Sequence, residues 1–251
     1  MSSEDDVLVL NRILDFANMC YNRNIPVSTD FLDLNKQSVF HINLSKLPPV
    51  SYELTGGYNL AERKVVIFLP EKNYFYEPFF KIVKIQSGNK RFAENLTHRD
   101  YLGAIMNLGI AREKFGDIIV NNDCAYVFIL NKMSDYLVKN LCKIRNTIVK
   151  CTICDELDFD VEASFEHIQG TVASIRLDSI IALGFNSSRS HLISYIEDGK
   201  VAVNGKVITT NAYNINEGDI ISVRGLGKLR FNKVISATRK GRLMVEVDKY
   251  V

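Results

Sequence analysis

The stretch "ENLTHRDYLGAIMNLGIAREKFGDI" contains His98-Arg99-Asp100, the residue types that open the catalytic loop of a protein kinase. In that chemistry the Asp accepts the proton of the attacking hydroxyl. It works only with a Gly-rich phosphate loop, a strand lysine paired to a helix glutamate, a metal-binding Asn and a DFG motif. The residues after Asp100 are "YLGAIMN", and neither DFG nor G-x-G-x-x-G occurs in the chain. Thr97-x-x-Asp100 is instead a capping box ahead of an apolar stripe at Leu102, Ile105 and Met106. The Thr97 hydroxyl is expected to accept from the Asp100 N–H while the carboxylate accepts from the Thr97 N–H. Asp100 caps a helix. A second chemical pattern, Cys151-Thr152-Ile153-Cys154, would need two further ligands for tetrahedral zinc. Cys20, Cys124 and Cys142 form no second pair, and residues three apart on a strand face opposite sides. Gly225-Leu226-Gly227 is a lone G-x-G and reads as a turn.

The pattern that resists a purely structural reading lies between residues 174 and 210, "SIRLDSIIALGFNSSRSHLISYIEDGKVAVNGKVITT". Arg189 and His191 occupy the first turn of a helix, where the macrodipole disfavours cations by ~0.3–1 kcal/mol each. Unpaired N–H groups at a capped helix start form an anion site, and an arginine beside them makes a phosphate clamp. Lys200 and Lys206 bracket a hairpin nearby.

These residues need elements to hold them. One helix is predicted from Arg176 to Leu183 with Leu177, Ile180 and Ile181 on one face. Gly184 ends it, and Ser187 or Ser188 caps a second helix that buries Leu192, Ile193 and Ile196 and stops at Gly199. "KVAV" and "KVIT" flank Asn204-Gly205, the signal of a type I′ hairpin, and residues 218–223 add a strand. Upstream, residues 7–21 have helical spacing, and "KVVIFLP" (64–70) is a strand stopped by Pro70. From 81 onward, strand 81–86, helix 97–109, two strands joined through Asn121 to Cys124, helix 132–145 and a strand over "NTIVKCTIC" give β-α-β-β-α-β. That is the split-βαβ or ferredoxin-like order.

Composition is that of a soluble globular chain, 47% hydrophobic and 24% charged over 251 residues. No apolar run approaches the ~20 residues that cross a bilayer. The acidic start "MSSEDDVLVL" is no secretory signal, and five cysteines read as reduced thiols, so the expected location is cytoplasmic. Net charge is +2 overall, but 12 basic against 8 acidic residues from Glu166 to the end give +4 there. Arg224, Lys228, Arg230, Lys233, Arg239, Lys240 and Arg242 form an acid-free stripe that suits a polyanion or a solvated surface.

Arg176-Leu177-Asp178, Ser188-Arg189-Ser190, "IEDGKVAVNGK" and "INEGDII" together resemble the RNA-binding domain named for ribosomal small-subunit protein four, the S-four domain. The resemblance implies RNA contacts, mainly to phosphates and shape, at Arg176, Ser188, Arg189, Ser190, His191, Lys200, Asn204 and Lys206. With "LTHRDYLGAIMNLGIAREKFGDI" ahead of it, nearly the whole chain resembles the YlmH family of bacterial cytoplasmic RNA-binding proteins. That resemblance implies a partner in ribosomal RNA of the large subunit carrying stalled peptidyl-tRNA, in ribosome-associated quality control. Arg112 and Lys114 of the "GIAREKFGD" turn are open to a second RNA contact or to a solvated loop.

The expected fold class is therefore α+β: an N-terminal α/β cap (1–72), a ferredoxin-like middle domain (73–165) and a C-terminal S-four-type domain (170–251). The expected function is non-catalytic RNA binding, without cofactor, metal, membrane or small-molecule substrate. The alternative is an RNA-modifying enzyme, a pseudouridine synthase or ribosomal-RNA methyltransferase. Only about 40 residues follow the second hairpin strand, too few for the catalytic domain of the former, and the cofactor loop of the latter is missing.

Overall fold

The computed structural model describes residues 4–88, 94–121, 124–159, 161, 165–239 and 241–250. It divides into two compact units, Met1–Val161 and Glu162–Val251. The fold is mixed α and β throughout.

In the first unit, α1 (Glu4–Arg23) begins with Glu4, Asp5 and Asp6, which complement the helix dipole, and buries Ile13, Ala17 and Cys20 at helical spacing. A short strand, β1 (Val27–Ser28), precedes α2 (Leu34–Ile42), whose N-cap Asp33 accepts from the Lys36 N–H at 3.0 Å. β2 (Ser51–Thr55) and β1 flank β3 (Val65–Leu69) in a three-stranded sheet. All five residues of β3 are buried because the strand has a core on each side. Val66 and Phe68 pack with α1, Leu32 and Phe40. Val65, Ile67 and Leu69 pack with Phe31 and with Ile82, Tyr126 and Phe128 of a second sheet.

That second sheet comprises β4 (Phe80–Ser87), β5 (Phe115–Asn121), β6 (Cys124–Leu130), β7 (Lys143–Ile144) and β8 (Thr147–Cys154). Their order is β5-β6-β4-β8-β7 with every neighbour antiparallel. α3 (His98–Asn107) links β4 to β5, and α4 (Asn131–Asn140) links β6 to the β7–β8 hairpin. Both helices cover the face that carries Val83, Ile85, Val127, Ile129 and Val149. The expected strand connection at residues 122 and 123 lies outside the described residues. The helix expected over 132–145 stops at Asn140, and Lys143 and Ile144 form β7. Leu141 and Ile144 kept the helical spacing because both elements bury them in the same core, at 3% and 1% exposure.

The second unit is a six-stranded antiparallel sheet with two helices. β9 (Phe165–Val172), β10 (Val201–Val203), β11 (Lys206–Val207), β12 (Ile220–Val223), β13 (Gly227–Ala237) and β14 (Leu243–Tyr250) lie in the order β11-β10-β12-β13-β14-β9. α5 (Leu177–Gly184) and α6 (Arg189–Glu197) bury Leu177, Ile180, Ile181, Leu192 and Ile196 against Val201, Ile221, Leu229, Phe231, Val245 and Val247. Asn204 and Gly205 turn the β10–β11 hairpin with φ of 48° and 79°, as a type I′ turn requires. Among the described residues no helix is long and apolar enough to cross a membrane.

Candidate nucleic-acid interface

At the start of α6 the Ser188 hydroxyl accepts from the His191 N–H at 3.2 Å, and the Ser188 and Ser190 hydroxyls lie 3.2 Å apart. Arg189 turns back to ion-pair with Asp178 in the first turn of α5. Arg176, which precedes α5, approaches the same Asp178 oxygen at 3.3 Å. This explains a cation at a helix start. The Asp178 side chain is only 1% exposed, and a buried carboxylate needs compensating charge more than the dipole resists it. Arg189 remains 49% exposed, so guanidinium donors beyond the ion pair face solvent. His191 is exposed, its ring 5.4 Å from Tyr195 in an edge-on arrangement.

A second set of the expected residues lies at and beyond the other end of α6, roughly 13 Å along its axis. Lys200 Nζ is 2.7 Å from Asp198 and 5.3 Å from the Tyr195 ring centre, and the carboxylate raises its pKa. Asn204 serves the fold: its amide donates to Asp219 at 2.8 Å and its carbonyl accepts from the Ile220 N–H at 2.9 Å. Lys206 is exposed on β11 with no ion pair among the described residues. Arg224 joins this set, since its backbone N–H donates to the Lys200 carbonyl at 2.9 Å. Arg176, Ser188, Arg189, Ser190 and His191 thus gather at one end of α6, and Lys200, Asn204, Lys206 and Arg224 at the hairpin.

The acid-free stripe is not a uniform row of solvated cations. Arg230 pairs at 2.8 Å with Asp248, which is 2% exposed and also 2.6 Å from His167 Nδ1. The Arg230 guanidinium stacks 4.8 Å from the Phe165 ring centre. Burial pushes the Asp248 carboxyl up, but hydrogen bonds from Asn232, Arg230 and His167 outweigh it and hold the pKa below its ordinary value. Arg242 donates to the Thr171 carbonyl at 2.7 Å. Lys233 and Arg239 are exposed, and Lys240 lies outside the described residues. The sequence hid these arrangements because Asp248 and His167 lie 81 residues apart and meet only through the pairing of β9 with β14.

In the first unit, the Asp100 carboxylate accepts from the Thr97 N–H at 2.8 Å and from the Thr97 hydroxyl at 2.7 Å, completing the capping box. Its other oxygen is 3.3 Å from Arg145. Arg112 is spent internally: it donates to the Phe115 and Gly116 carbonyls at 2.8 and 2.9 Å and stacks on Phe115. Burial, then the nearby Arg63, pull its pKa down to about 10. Lys114 pairs with Asp30 at 2.9 Å. Cys151 is buried with its thiol pushed up to about 11, first by burial, and among the described residues no cluster of His, Cys, Asp or Glu is placed to hold a metal.

Two family models match the chain. One, described as "Putative RNA-binding domain in YlmH", covers residues 70–157. The other, the S4 domain, covers residues 175–221 and holds all eight expected contact residues. Ribosome-associated protein quality control protein P2 of Bacillus subtilis (strain 168) is 28% identical over 250 residues, spanning 98% of this chain and 96% of its own length. The chain is similar to the YlmH family, with a YlmH-type domain followed by an S4 domain. Its YlmH-type middle and S4 end are RNA-binding domains, and its full-length relative is a ribosome-associated quality control protein. Small ribosomal subunit protein uS4 of Pseudomonas putida (strain KT2440) is 33% identical over 78 residues, 29% of this chain and 38% of that one. A solved structure, cell division protein ylmH from Streptococcus pneumoniae, is 23% identical and aligns over 61% of this chain and 93% of its own with a TM-score of 0.48.

Proposed function

We propose that this protein binds ribosomal RNA of the large subunit, together with peptidyl-tRNA, as a non-catalytic cytoplasmic factor in ribosome-associated quality control. The observation that carries the reading is the start of α6. There a Ser188-capped helix end, exposed Ser190 and His191, and a half-exposed Arg189 stand together above a buried Asp178. Helix-end N–H groups and guanidinium donors suit phosphate oxygens. Lys200, Lys206 and Arg224 extend the same chemistry along the hairpin. The ribosome and quality-control address is carried from the name of the full-length Bacillus subtilis relative, and the large subunit and peptidyl-tRNA from the family resemblance.

Asp178 speaks against the RNA-modifying alternative. The Arg-Leu-Asp run is also where pseudouridine synthases carry their catalytic Asp, but here the carboxylate is buried and paired with two arginines. Sucrose-gradient profiles with RNA crosslinking test the proposal. Co-migration with large subunits, and crosslinks from the second unit to their RNA, are expected. Co-migration with small subunits alone, or pseudouridine or methyl transfer by the purified protein, would refute it.

A further inference from the structure

We propose a second RNA-backbone site on the first unit, in the groove where α3 meets the β7–β8 hairpin. The proposal rests on the reading of the protein as an RNA binder and extends it to a surface separate from the start of α6. The groove has a volume of about 490 Å³ and is lined by Arg99, Lys143 and Arg145, the amides of Asn107 and Asn140, and the single carboxylate of Asp100. Asp100 is already committed to Thr97 and to Arg145. Arg99 and Lys143 are exposed and have no ion-pair partner among the described residues. Three cations from a helix, a strand and a turn therefore converge against one spent carboxylate, an excess that a polyanion relieves.

Two further observations point the same way. Arg145 holds a φ of 51°, a left-handed conformation that residues with a β-carbon rarely adopt. Asparagine tolerates it better and stands next in the chain, so the turn keeps strain beneath an arginine at the rim of the groove. In addition, both faces of the five-stranded sheet are occupied: α3 and α4 cover one, and Val65, Ile67 and Leu69 of β3 cover the other. Tyr126 and Phe128, the aromatics on which bases would stack, are 1% and 0% exposed. Nucleic acid reaches this unit at its helices and hairpins, and the cationic groove is there. With no aromatic lining it, the site takes phosphates rather than bases.

The test uses the full-length protein, R99E/K143E against K206E in the second unit, with purified large ribosomal subunits and a short structured RNA hairpin as probes in a salt titration. R99E/K143E is expected to weaken binding to large subunits about tenfold at moderate salt. It should also flatten log K against log salt by about 1.4–1.8, two contacts' worth, with the melting temperature unchanged. R99Q/K143Q should flatten the slope equally and stands in if the glutamates disturb the helix start. Wild-type affinity and slope in both groove variants, with K206E weakened, would overturn the groove and leave the proposed function standing. Absence of RNA binding by the wild-type chain itself would overturn both. Binding of poly-glutamate that the groove variants lose while keeping RNA would assign the groove to an acidic protein and also overturn it.

Discussion

Arg189 and Lys206 look alike as sequence candidates and behave differently as chemistry. Lys206 stands exposed, so Lys206→Ala should flatten the salt dependence of RNA binding by about 0.7–0.9 and leave thermal stability unchanged. Arg189→Ala should flatten the slope too, but it also strips one of two partners from a buried carboxylate and should cost about 1–3 kcal/mol of stability by chemical denaturation. The same substitution in an Asp178→Asn background should cost less, the coupling expected of residues in contact. Asp248 sets an acid limit for the second unit. Its folded pKa lies below the ordinary carboxylate value of about 3.9, so its stabilisation is complete above that value and is lost as pH falls through the lower folded one. Melting temperature followed downward from pH 7 should drop below about pH 4, and Asp248→Asn should be less stable at neutral pH with a shallower acid decline. Cation identity was legible in the sequence. Cation availability was not, because the partners of Arg189 and Arg230 are fixed by helix and strand packing.

Local devices at the ends of elements were the most legible layer. Thr97-x-x-Asp100, Ser188 and Asn204-Gly205 act over one to three residues, and each operates where the spacing put it. Thr97→Ala should cost about 1 kcal/mol through the lost cap and should abolish no chemical turnover, which a melting curve and a phosphotransfer assay check together. Asn204→Ala separates an RNA contact from a structural one. The amide ties the hairpin to Asp219 and the Ile220 N–H, so its removal should destabilise by about 1–3 kcal/mol while leaving the salt slope of RNA binding intact. A changed slope with unchanged stability would return Asn204 to the RNA surface. Boundaries were less legible where two elements shared one core: Leu141 and Ile144 extend the helical spacing of α4 into β7.

At the scale of the molecule, the elements from Phe80 to Cys154 run β-α-β-β-α-β-β; the long, periodic ones were legible, and the two-residue β7 was hidden in the helical spacing after α4. β9 was not legible either. Its mixed exposure gives no clean alternation, and it is a strand because eight residues, Phe165 to Val172, pair one for one with Tyr250 to Leu243. β9, β13 and β14 lie outside the 175–221 span of the S4 match, yet β13 and β14 supply Leu229, Phe231, Val245 and Val247 to the core of the unit. The recognisable module is therefore smaller than the piece that can stand by itself. A fragment of residues 175–221 would cut β12 after two residues and leave β10 with a nearly bare hydrogen-bonding edge beside an uncovered apolar face, the two ingredients of strand-to-strand aggregation. Residues 165–250 close that edge with their own chain and should run as a soluble monomer in gel filtration, whereas 175–221 should elute as aggregate.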